Sequence, residues 1–218
     1  MDTENSLIRK RLRAPRAAAI AGIVFCVLLI TSQLLVWFSI PANRRGPTTE
    51  VIDQTKTISL ALNLLPFAGI ALLWFIAVVR NRLGALEDRF FATVFLGSGL
   101  LYLAMTSVSA SLASGLILVL SSSPEIPNQT GAYALGRAQV YQTMNVYGIK
   151  MAGVFMFSTS IILLRTGIVP RWIPYLGYLL GAMLVLSIGI VVWISVVFPL
   201  WVFLVSVALL IQKSANLT

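Results

Sequence analysis

Long apolar runs alternate with polar connections along the chain, and six of these runs can be separated. A helix rises about 1.5 Å per residue, so about 20 residues cross the roughly 30 Å hydrocarbon layer of a bilayer. The pattern predicts an all-α fold, a polytopic membrane protein built as a bundle of six transmembrane helices in a single domain over residues 1–218. The predicted spans are residues 17–40, 58–79, 90–120, 139–164, 175–193 and 199–212.

Two apolar stretches do not have the length of one ordinary span. Residues 90–120 would form a helix of about 46 Å, so we expect it to tilt or to project beyond the hydrocarbon layer. Residues 175–212 contain no charged residue and are about twice as long as one span. We divide them near residues 193–199, because Pro199 suits the first turn of a helix. One long kinked helix is the alternative.

The composition agrees with a chain embedded in lipid. Hydrophobic residues make up 58% of the chain and charged residues 11%, whereas roughly a quarter of a soluble domain is charged. In a soluble protein the net charge of +9 would suggest nucleic acid as a partner. Here the basic residues cluster where the predicted helices leave the bilayer. This distribution indicates that they set the orientation of the spans and contact anionic lipid. We therefore expect the lipid bilayer as a partner and no nucleic acid.

The basic residues are divided unequally between the two sides of the predicted spans. Eleven lie on the side of the N-terminus and four on the other, and Lys150 inside the fourth span completes the 16. Cytosolic connections carry the excess of Lys and Arg in membrane proteins. The bias predicts a multi-pass protein of the cell (cytoplasmic) membrane with both termini in the cytosol. We expect Arg171 and Trp172, between the fourth and fifth spans, to anchor the cytosolic interface.

Side chains that carry chemistry are scarce. The chain has no His and a single Cys, Cys26, which lies in the first apolar run, so one chain cannot build a Cys/His metal site or catalytic pair. The predicted spans also lack Asp and Glu, which disfavours an integral-membrane enzyme and a carboxylate proton relay. We predict a protein that is not an enzyme, with no catalytic residues, no metal and no cofactor.

Lys150 is the charged residue that the hydropathy pattern places inside a span. A charge near the bilayer centre costs roughly 2.5 kcal/mol or more, and no acidic residue of the predicted spans is available to pair with it. At about 100° per residue, Gln139, Thr143 and Lys150 share one face of the fourth span. Gln142 and Tyr147 lie at the flanks of this polar stripe.

A second polar stripe lies on the third span, where Ser107, Ser111 and Ser114 share a face. If the two stripes face each other, they enclose a small cavity, open to the outer side, in which Lys150 and the nearby hydroxyl and amide groups bind an anionic or amphiphilic ligand, for instance an anionic lipid or a small amphiphile. Alternatively, Lys150 extends to the outer interface or is solvated by hydroxyls and carbonyls, and the serines simply allow close helix packing. A neutral lysine in proton chemistry is a third interpretation.

These observations favour a membrane protein that binds or translocates a small anionic or amphiphilic ligand around Lys150. A non-catalytic accessory or structural subunit of a membrane complex is the alternative function. Its partners would be further copies of the chain or other membrane proteins.

One loop of the sequence resembles a known family. Residues 165–173 read Arg-Thr-Gly-Ile-Val-Pro-Arg-Trp-Ile, and they end one span and open the next. This loop resembles that of a bacterial multi-pass family catalogued only as a domain of unknown function. The overall length, the start of the first span at residues 16–22 and the Arg-Phe opening at residues 89–90 are also similar. The resemblance implies a multi-pass membrane protein and brings no functional residue with it.

Overall fold

The computed structural model describes residues 19–36, 55–83, 89–122, 131–187 and 194–215. Within these ranges the chain is all-α and contains no strand, which confirms the predicted helical bundle. We number six helices in chain order. They are α1 (Ala19–Val36), α2 (Thr55–Leu83), α3 (Arg89–Ser122), α4 (Gly131–Gln142, Thr143–Gly148 and Ile149–Thr166), α5 (Trp172–Leu186) and α6 (Ile194–Ala215).

Five of the six helices are long and apolar enough to cross a membrane. Their qualifying segments are Ala19–Val36, Thr55–Arg80, Phe90–Val119, Ala134–Thr166 and Ile194–Ile211. The exception is α5, whose 15 residues extend only about 22 Å. The helices are therefore those of a multi-pass membrane protein in which one helix is shorter than the hydrocarbon layer.

Each helix runs antiparallel to the next, as the order of the interhelical contacts requires. In α1 and α2, Ser32 Oγ donates to the carbonyl of Ala61 over 2.7 Å, whereas Gly22 lies beside Phe75. The neighbours of α2 and α3 are Gly69 with Leu103 and Ile76 with Gly99. Those of α3 and α4 are Phe95 with Phe155 and Ser109 with Val140. Those of α4 and α5 are Gly153 with Gly181 and Ser160 with Gly177. The result is an up-and-down bundle.

The last helix returns to the end of the bundle where the first begins. Gly22 of α1 lies against Ser206 of α6, and Phe25 packs against Phe198, so α1 and α6 are antiparallel. Residues 175–212 thus form two helices and not one kinked helix. We call the end where α1 begins and α6 finishes the basic end, because Arg80, Arg165 and Arg171 lie there, and the opposite end the far end.

Aromatic rings fill the centre of the bundle. Phe198 of α6 contacts Phe25, Tyr102 and Phe155 edge-on, with ring centroids 5.7, 4.7 and 5.7 Å apart. Phe155 also stacks on Phe95 at 4.8 Å. Edge-to-face and offset pairs add attraction beyond the area they bury. Phe198 therefore joins α1, α3 and α4 to α6.

Helix α4 also packs closely on α5. A Cβ atom added to Gly153 would lie 2.8 Å from the carbonyl oxygen of Gly181, and one added to Gly181 would lie 3.0 Å from that of Gly153. The backbones therefore approach closely, as small residues permit in membrane helices. Gly167 ends α4 with a φ of 60°, and its N–H donates to the carbonyl of Leu163 over 3.1 Å. This left-handed cap turns the chain toward α5.

The helix ends differ from the predicted spans at three points. The helical segment of α4 begins at Gly131, where the predicted span begins at residue 139. α5 ends at Leu186, because Ser187 has extended φ and ψ angles of −64° and 136°. Pro199 lies inside α6 and not in its first turn, since α6 begins at Ile194.

Candidate functional site

Lys150 lies in α4, directly after a π-helical turn. Its side chain is half-buried, and it makes no hydrogen bond or ion pair with the part of the chain that the structure describes. All seven acidic residues of the chain lie outside the described ranges. Lys150 therefore places a positive charge in the bundle with no described counter-charge.

The π-helical turn changes which residues share a face with Lys150. It covers Thr143–Gly148, and Ile149 N–H bonds to the carbonyl of Met144, five residues back. Such a turn accommodates about one extra residue, so it rotates the later part of α4 by about 100° relative to a regular α-helix. Gln139 and Thr143 therefore lie on a different face of α4 from Lys150. Of the predicted stripe, the side chains of Gln139, Gln142 and Tyr147 are exposed and that of Thr143 is half-buried.

The serine stripe of α3 does not face α4. Ser107, Ser111 and Ser114 are all exposed, and Ser107 also borders the space between α1, α2 and α3. The face of α3 that packs against α4 instead carries Thr106 and Ser109, which are buried. The two predicted stripes are therefore not brought together, although the binding of a ligand by Lys150 stays a prediction.

Hydroxyl groups join α3 to the half of α4 nearer the far end. Ser109 Oγ donates to the carbonyl of Val140 over 3.1 Å, three residues before the π-helical turn, and Thr106 Oγ1 lies 3.7 Å from Met144 Sδ. Thr106 also donates to the carbonyl of Tyr102 in its own helix. In the sequence these two residues stand out only as neighbours of the serine stripe. The sequence does not identify them as the buried face, since both faces of α3 are apolar.

Lys150 lies at the depth where α5 ends. Gly153 contacts the segment from Gly181 to Val185, and α4 and α5 are antiparallel. Lys150 is three residues nearer the far end, which corresponds to about 4.5 Å along α4. This distance brings it level with the last residue of α5, Leu186. The final carbonyls of a helix lack intrahelical donors and form its negative end, so a polar helix terminus lies at the same depth in the bundle as Lys150.

The predicted interface anchors lie at the basic end. Arg171 and Trp172 are both exposed where α5 begins. Arg165, in the last turn of α4, is centred 4.8 Å from the ring of Phe91 and forms a cation–π contact. Exposure of a guanidinium and an indole at this end suits an anchor in the headgroup layer.

A small cavity lies elsewhere, between α1, α2 and α3. Its volume is about 10 Å³, which suits about one water molecule and is too small for an amphiphile. Polar groups of its lining come from Tyr102, Thr106 and Ser107. Within the described ranges there is also no cluster of His, Cys, Asp or Glu that could hold a metal ion.

Comparison with known proteins gives no relative of this chain. No family model, no curated protein and no solved structure matches it. The resemblance of the loop at residues 165–173 to a bacterial membrane family therefore stays a prediction.

Proposed function

We propose that this protein binds an anionic amphiphile, most simply the phosphate group of a membrane lipid, through Lys150 at the place where α5 ends. The observation that carries the proposal is a half-buried lysine, Lys150, without a partner in the part of the chain that the structure describes. A charge in this position is costly unless an anion or polar groups compensate it. A phosphate supplies both a negative charge and several acceptor oxygens.

The short helix supports a lipid as the source of the phosphate. If the exposed Trp172 holds the start of α5 at one boundary of the hydrocarbon layer, a helix of about 22 Å ends about 8 Å short of the other boundary, because this layer is about 30 Å thick. Lipid adjusts to a helix that is too short by local thinning of the bilayer. A lipid headgroup on the side of the far end can therefore reach the depth of Lys150. The acyl chains would then lie along the exposed apolar faces of the bundle.

Lys150→Met tests this proposal with the full chain in nanodiscs that contain phosphatidylglycerol. We expect native mass spectrometry to show that affinity for the anionic lipid falls about tenfold or more, because a charge-assisted contact contributes roughly 1.5–3 kcal/mol. Lys150→Arg should retain most of the bound lipid. Lys56→Met is the matched control, since the same substitution removes an exposed ammonium group at the start of α2, and it should leave occupancy nearly unchanged.

Two further arms separate the alternatives. In the first, free inorganic phosphate is added to the protein in a neutral detergent with bound phosphatidylglycerol. Displacement of the lipid indicates a site for phosphate alone, and retention of the lipid indicates a site for the whole lipid. If Lys150 is compensated only by the carbonyls of α5, Lys150→Met would leave the bound lipid unchanged, which contradicts the proposal. A stable complex with another membrane protein and an unchanged set of lipids would instead support the accessory subunit.

We also propose that the protein lies in the cell membrane with both termini in the cytosol. The excess of basic residues on the side of the N-terminus supports this orientation. A reporter that fluoresces only in the cytosol, fused after Thr218, is expected to be fluorescent. A reporter active only outside the cytosol, fused at the same place, should be inactive. The reverse pair of results would contradict the proposed orientation.

A further inference from the structure

Two buried polar atoms converge where α4, α5 and α6 meet. Ser160 Oγ and Trp201 Nε1 belong to side chains that are 0% and 1% exposed, and neither atom has a hydrogen-bond partner in the part of the chain that the structure describes. A Cβ atom added to Gly177 would lie 2.8 Å from Trp201 Nε1 and nearer still to Ser160 Oγ. Both polar atoms lie within 2.8 Å of this Cβ position, so the distance between them is less than twice 2.8 Å.

The orientation of Ser160 differs from that of its two neighbours. Ser158 and Thr159 donate to carbonyls four residues back in α4, over 2.9 and 2.7 Å. The same type of intrahelical bond is available to Ser160, yet its hydroxyl points toward Gly177 of α5. Trp201 is the other group there, and its indole N–H is a donor that cannot accept. Both polar atoms lie beside Gly177, and two groups within this distance of each other can be joined by one bridging water.

We propose that one water molecule is bound at this junction, where it accepts a hydrogen bond from Trp201 Nε1–H and shares a second with Ser160 Oγ. Buried water usually makes about three hydrogen bonds to groups that would otherwise be unsatisfied. Gly177 has no Cβ atom, which would otherwise lie close to both polar atoms. The bound water links α4 to α6 beside Gly177 of α5.

The sign of a stability change tests the proposal. If a water joins the two groups, Ser160→Ala removes one of the two groups that hold the water. Loss of the water leaves Trp201 Nε1–H without an acceptor, so the thermal unfolding midpoint in nanodiscs should fall by about 2–4 °C. If Ser160 instead buries an unpaired hydroxyl, its removal relieves a desolvation cost and the midpoint should rise. Ser158→Ala is the matched control, since its hydroxyl bonds only within α4, and should shift the midpoint less.

A spectroscopic measurement detects the water directly. The indole nitrogens are labelled with ¹⁵N in the full chain, and Trp201→Phe assigns the Trp201 signal by its loss. Trp74→Phe controls for the exposed indole on α2. We expect magnetisation transfer from water to the Trp201 N–H, and loss of that transfer in Ser160→Ala. A Trp201 signal without water transfer, or a midpoint that rises or does not change in Ser160→Ala, would overturn the proposal.

Discussion

Phe198→Ala is expected to lower the free energy of unfolding by about 3–5 kcal/mol, the range for truncating a large buried aromatic ring. Phe198 is buried among rings from three other helices, so its removal leaves a cavity that α1, α3 and α4 cannot close without moving. In a bilayer this loss is mainly one of packing contacts, because lipid is as apolar as the bundle interior. Steric trapping of the unfolded state in bicelles measures the change.

Phe67→Ala is the control for this prediction. Phe67 lies on α2 and is 61% exposed, so its ring contacts mostly lipid. Its truncation should change the free energy of unfolding by less than about 1 kcal/mol. Equal effects of the two substitutions would show that Phe198 does not hold the centre of the bundle together.

The second large effect is expected at the crossing of α4 and α5. Gly153→Ala places a methyl group 2.7 Å from Val185 Cγ2 and 2.8 Å from the carbonyl oxygen of Gly181. The valine can rotate, but the backbone oxygen moves only with its helix, so α4 and α5 must separate. Overpacking of this kind costs about 1–3 kcal/mol, partly offset by the better helix propensity of Ala. The free energy of unfolding is again the quantity to measure.

Gly115→Ala provides the comparison at an open glycine. Nothing lies within 4 Å of a Cβ atom added to Gly115 on α3. The substitution should leave the free energy of unfolding unchanged or raise it by up to about 1 kcal/mol through helix propensity. If Gly153→Ala proves as harmless as Gly115→Ala, the close approach of α4 and α5 is not essential to the fold.

The helical bundle could be predicted from sequence because membrane crossing imposes a strong length requirement. Runs of about 20 apolar residues leave few alternatives to a helix, since every backbone polar group must be satisfied within the segment. The start of α4 was harder to predict. Gly131 and Arg137 interrupt the hydropathy of this segment without interrupting its helix, because hydropathy reports the lipid boundary and not the end of hydrogen bonding.

The packing faces could not be predicted, for a different physical reason. In a soluble helix the buried face is apolar and the exposed face polar, so the pattern shows which is which. Lipid removes this contrast. Ser111 and Ser109 are two residues apart in α3, yet only Ser109 is buried, and composition alone does not distinguish them. The place where α5 ends was equally hidden, since the sequence there remains apolar beyond Leu186.

The π-helical turn of α4 has an evolutionary consequence. Deletion of one residue within Thr143–Gly148 would restore a regular α-helix without disturbing how the later segment of α4 packs on α5. The preceding segment would then turn by about 100°, and the carbonyl of Val140 would leave Ser109. A single insertion or deletion can therefore change which residues are exposed on the half of α4 nearer the far end, while the packing of the later segment on α5 is preserved. In proteins that share this bundle, differences in chain length should concentrate at this turn.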